Sequence, residues 1–125
     1  MKRNLRYNVR ELSYYILIGV IYDGMLLGDR IIDILDNYDI NDADKSYIKR
    51  ECTGVIENIS VIDFYIKKFT SFNIKKISRE IMTILRIGIY ELLYMDRVPS
   101  YATINECVEI TKKLSVSRYY NNQYR

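Results

Sequence analysis

The sequence predicts an all-α fold, a compact helical bundle of five or more helices with a central apolar helix. Three observations carry that prediction. Leu, Ile and Val recur at spacings of three and four over most of the 125 residues, the period of helices that bury one face. Proline and glycine, one and five residues, are too few for the many tight turns of an all-β domain. The segment Ile81–Met95 is apolar on nearly every side, and such a helix has to be covered by others.

The elements follow in order. A first helix spans Arg3 to about Tyr22, with Leu5, Val9, Leu12, Ile16 and Val20 on one face, and Asp23-Gly24 ends it. A second runs from about Leu26 to Leu35, with Leu27, Ile31, Ile34 and Leu35 inward, before a polar loop at Asn37–Asn41. A third begins at a cap of Asn41 or Asp42, with Asp44 in the first turn where the helix dipole favours negative charge. Ile48, Cys52, Val55, Ile59, Ile62, Ile66 and Phe69 then keep a 4-3-4-3 rhythm, a bundle seam that Gly54 or Asn58-Ile59-Ser60 can interrupt. Thr70–Lys76 is a basic connection, and Ser78 caps the central helix, Arg79 to Met95. Pro99 suits the turn before a last helix, capped by Ser100 and running to about Leu114.

Length sets one domain, residues 1–125. Net charge is +3 but unevenly spread: residues 1–22 carry +3, residues 23–46 carry −5, residues 47–99 carry +3 and residues 100–125 carry +2. Basic ends around an acidic insert suit an anionic partner better than the total suggests. With no histidine, a Ser-His or Cys-His nucleophile is impossible, and no glycine-rich phosphate loop is present. Cys52 and Cys107 read as two small buried hydrophobes rather than a metal or disulfide pair. The acidic run from Asp23 to Asp44 lacks Ca-loop spacing. Ile81–Met95 holds Arg86 and Glu91 and falls short of a bilayer span, and no cleavable signal precedes it. The expectation is a cytoplasmic protein that is not an enzyme, with no cofactor, no metal and no membrane partner.

One constellation points to a ligand. On a continuous first helix, Arg3, Arg6, Tyr7, Arg10 and Tyr14 fall in a sector of roughly 100° opposite the apolar stripe. Guanidinium groups pair with phosphate, and phenol rings stack on unpaired bases. The same pattern also describes a solvated basic face with half-buried tyrosines. A second basic group, Lys67, Lys68, Lys75, Lys76 and Arg79, surrounds the connection before the central helix. Within that helix Arg86 needs a carboxylate, because an unpaired buried charge is very costly. Glu106 and Asp63 are the candidates, and an Arg86–Glu106 bridge would lock the central helix to the last one.

Several motifs in order resemble the NusB/RsmB-type RNA-binding domain family. Arg3, Arg6 and Arg10 resemble its arginine-rich start. Gly54-Val55 through Asn58 and Asp63 resembles its G-V-x-x-N and Leu-Asp segment; Leu85-Arg86 and Tyr90-Glu91 its L-R-x-x-x-Y-E; Val98-Pro99, Ile104-Asn105-Glu106 and Lys112 its V-P, I-N-E-A and A-K. The resemblance implies a non-catalytic RNA-binding module acting in transcription antitermination or rRNA transcript processing. The partners it implies are single-stranded, boxA-like or ribosomal RNA and either the small-subunit ribosomal protein NusE or an rRNA cytosine methyltransferase domain. Tyr119 stands at the family's RNA-touching aromatic position. Val116 and Asn122 depart from the serine and glycine of the closing motif, so the family's final helix is expected to be absent or reduced to a turn. Two further readings stay open: a detached domain of an rRNA cytosine methyltransferase, and a helical module that binds protein.

Overall fold

The computed structural model describes residues 6–70 and 74–123. Among these residues the chain forms six α-helices and no strand: α1 (Val9–Tyr22), α2 (Leu27–Leu35), α3 (Asp42–Glu57), α4 (Ile59–Phe69), α5 (Arg79–Tyr94) and α6 (Ser100–Gln123), with a short 3-10 turn at Ile74–Lys76 before α5. The central helix is α5, which packs against α1, α3, α4 and α6.

Capping decides where the helices start. Asn8 adopts an extended backbone, and its side-chain oxygen accepts from the Glu11 backbone N–H at 3.1 Å. α1 therefore begins at Val9, not Arg3. Asn41 and Ser78 cap α3 and α5 in the same way. Gly24, with φ of +72°, takes the left-handed turn that ends α1.

The long seam of the third predicted helix is two helices. At Asn58 the backbone leaves the helical region, while its side chain donates to the Gly54 carbonyl at 2.8 Å. A side chain that competes for a backbone acceptor favours such a break. Ile48, Cys52, Val55, Ile62 and Ile66 still face the core, but Phe69, the last member of the rhythm, is 74 % exposed. Past Asn58 the stripe has turned.

α5 fills the centre through Met82, Ile87 and Tyr90. The Tyr90 ring rests on the Cα of Gly54, where any added side chain would collide with it. The helix is not covered on every side. Ile81, Leu85 and Leu92 face Ile104 and Val108 of α6 across an apolar groove of about 370 Å³. The last helix also departs from expectation: no glycine or proline interrupts Ser100–Gln123, and α6 runs through Leu114 without a break.

Candidate nucleic-acid interface

The basic face of α1 is not the one the helical wheel draws. Arg6 and Tyr7 precede the cap, so the helical period does not apply to them. Arg3 lies outside the described residues. Arg10, in the first turn, points inward. Its Nε donates to both carboxylate oxygens of Glu91, at 3.0 and 2.8 Å, and its guanidinium lies 5.7 Å from the Tyr47 ring centroid. The Glu91 side chain is fully buried and also accepts from Thr103 Oγ1 at 2.8 Å. Burial pushes the Glu91 carboxyl up, but its surroundings, the neighbouring Glu51 carboxyl, Arg10 and Thr103 among them, outweigh burial and hold it below the usual range. Tyr14 is also a core residue, stacked on Tyr15 at 5.2 Å. The outward placement of Arg10 and Tyr14 is thus corrected. A buried carboxylate on the central helix claims the arginine, and packing claims the ring.

What remains exposed at this end is a polar hollow of about 360 Å³ lined by Arg6, Tyr7, Tyr15, Tyr38 and Lys113, with Glu11 between them. Arg6 is exposed. Tyr7 donates to Asp44 at 2.7 Å and meets Tyr38 edge-on at 6.3 Å. That hydrogen bond to Asp44 holds the Tyr7 phenol above its usual pKa. Lys113 reaches across from α6 to both oxygens of Glu11, at 3.0 and 2.9 Å. The hollow therefore offers two cations and three rings, with Glu11 offsetting part of the charge. Tyr15, Tyr38 and Lys113 come from separate stretches of chain, and no spacing in the sequence joins them.

The second basic group lies at the opposite end of α1. Lys75, Arg79 and Arg86 line a hollow of about 280 Å³ together with Tyr22 and Asp63. At about 1.5 Å per residue, the first and last turns of α1 are about 20 Å apart, so the two groups do not form one patch. Lys75, Lys76 and Arg79 are exposed, and Arg79 sits 3.8 Å from Glu80. The end of α4 shows rings to solvent: Phe64 is 60 % exposed, Tyr65 and Phe69 are near-parallel at 6.3 Å, and Lys68 lies 5.7 Å from the Phe69 ring centroid. Phe64 stands off the Ile62–Ile66 stripe, and an aromatic residue off the stripe was the legible signal.

Arg86 has a carboxylate partner, and it is Asp63 rather than Glu106. Nε and Nη2 bind the two Asp63 oxygens at 2.8 and 3.0 Å, and Nη1 donates to the Tyr22 hydroxyl at 2.9 Å. The tie joins α5 to α4 and α1. Glu106 instead accepts from Asn8 at 2.9 Å. Tyr119 lies in α6, with its side chain outside the described part. Among the described residues no group of three or more His, Cys, Asp or Glu can hold a metal, and no helix is long and apolar enough to cross a membrane.

The model of the NusB family matches residues 8–121, which takes in the Asn8 cap, the Arg10–Glu91 and Arg86–Asp63 ion pairs and most of α6. The chain belongs to the NusB family. A relative named transcription antitermination protein NusB from Clostridium botulinum (strain Alaska E43 / Type E3) is 38 % identical over 109 residues, covering 85 % of this chain and 82 % of the relative. Its namesake from Ligilactobacillus salivarius is 32 % identical over 117 residues, covering 92 % and 88 %. That from Ruminiclostridium cellulolyticum is 42 % identical over 82 residues, and the match spans 57 % of its length. In this NusB-family chain, Arg10–Glu91 and Arg86–Asp63 both bind the central helix to its neighbours, so Arg10 and Arg86 serve the interior here.

Proposed function

We propose that this chain is a non-catalytic RNA-binding module acting in transcription antitermination, and that it holds an unpaired, boxA-like stretch of ribosomal leader RNA together with a protein of the transcription machinery. The observation that supports this reading is the hollow at the start of α1, where Arg6 and Lys113 stand among Tyr7, Tyr15 and Tyr38. Guanidinium and ammonium groups pair with phosphates, and the rings offer stacking surface to bases. The names of the relatives point the same way. The basic segment leading into α5, with Lys75, Lys76 and Arg79, and the exposed Phe69 at the end of α4 are proposed as a second contact along the same strand. Tyr119 is kept as a contact by family likeness. The protein partner is proposed to be a small-subunit ribosomal protein of the NusE kind.

A fluorescence-anisotropy titration tests the reading, with a boxA-like single strand and a scrambled control at two salt concentrations. Tighter binding of the boxA-like strand, with affinity falling as salt rises, supports it. Equal, salt-independent weak binding of both strands removes it.

A further inference from the structure

α3 buries a second carboxyl group beside the first. Glu51 and Glu91 both have no exposed surface. Glu91 is well supplied with donors, from Arg10 and Thr103. Glu51 is not: among the described residues neither of its oxygens has a well-formed hydrogen bond from a donor, and the neighbouring hydroxyls of Ser13 and Tyr47 make none either. An ionised carboxylate left in that state is strongly disfavoured. Two carboxylates around one guanidinium do not both ionise readily, as each raises the cost of charging the other. If Glu51 carries a proton, the conflict disappears, because its hydroxyl can donate to Glu91.

We propose that Glu51 and Glu91 share one proton, and that this proton is a latch tying α3 to α5 and, through Arg10, to the first turn of α1. With the proton in place, Glu51, Glu91, Arg10 and Thr103 form one satisfied network across four helices. Its loss sets two negative charges against a single arginine and loosens the start of α1. The charged and titratable groups facing the pair are Arg10 from α1, Tyr47 and Cys52 from α3, and Cys107 from α6. Burial drives the Tyr47 phenol and the Cys52 thiol far up, and the Cys107 thiol up to about 11, so all three stay neutral near pH 7. The carboxyl pair is left as the group that can titrate. Burial first, and then Glu91, hold Glu51 well above the ordinary carboxylate range.

The sign of the effect follows. A carboxyl whose folded pKa is raised gives its full contribution below its unfolded value, near 4.3, and loses it as pH rises through the folded value. Across that window the folding constant falls by up to about tenfold per pH unit. Urea unfolding of the full chain, from about pH 5 to about pH 9, is compared with Glu51→Gln and Glu51→Leu. The unsubstituted chain is expected to lose stability as pH rises, and both variants to lose that dependence. Infrared spectroscopy gives a second readout that needs no variant to fold: a protonated carboxylic acid band in the unsubstituted chain at pH 7, absent from whichever variant folds. Parallel pH profiles in all three chains, or no carboxylic acid band at pH 7, overturn the proposal.

Discussion

Arg86 and Asp63 meet through two parallel hydrogen bonds of 2.8 and 3.0 Å, with the Tyr22 hydroxyl on a third guanidinium nitrogen. Three helices are joined at that point: α5, α4 and the end of α1. Arg86 is 8 % exposed and the Asp63 side chain 33 %. Arg86→Met strands the carboxylate and is expected to cost about 2 kcal/mol, below the 3–5 kcal/mol of a fully buried pair because water still reaches Asp63. Urea unfolding measures it. The double substitution Arg86→Met with Asp63→Leu should cost less than Arg86→Met alone, since no lone charge remains.

Gly54 is expected to tolerate no side chain. The Tyr90 ring occupies the space a Cβ would need, and both helices are locked by the core around them. Gly54→Ala should lower stability by about 3 kcal/mol, read as a drop in Tm. Tyr90→Phe in the same background should recover part of the loss, because the phenol oxygen is among the colliding atoms.

Arg6 and Arg10 are expected to behave differently, although they stand only four positions apart. Arg10→Ala leaves the Glu91 carboxylate buried without its cation and should cost about 3 kcal/mol of stability. Arg6→Ala should leave unfolding unchanged, weaken RNA binding and reduce the log–log salt slope by about 0.7. Anisotropy at two salt concentrations, paired with urea unfolding, separates the two roles. An RNA affinity unaltered by Arg6→Ala would take the start of α1 out of the interface.

Phe69 offers the converse case, an aromatic residue with little structural duty. It is 74 % exposed, so Phe69→Ala should shift Tm very little. If a base stacks there, RNA affinity falls by about 1–3 kcal/mol. No change in affinity confines the interface to the α1 end.

Much of the bundle was legible in the chain because burial leaves a period. The inward positions of α2 and α3, the Ser78 cap and the extent of α5 all follow from spacing and capping chemistry. The site was less legible. A helical wheel treats every residue as helical, and Asn8 ends that assumption one residue before Val9. Arg6 and Arg10 then face different surroundings, and Tyr14 goes to the core.

By itself the sequence determined the class of fold, the central apolar helix, and the need of Arg86 for a carboxylate, because periodicity and the cost of a lone buried charge are local properties of the chain. Only the tertiary structure decided that the carboxylate is Asp63, that Arg10 belongs to Glu91, and that Tyr15, Tyr38 and Lys113 gather around Arg6. Those outcomes depend on which helices touch, and at what angle and depth. That is set by packing between segments far apart in sequence, which no spacing within one segment records.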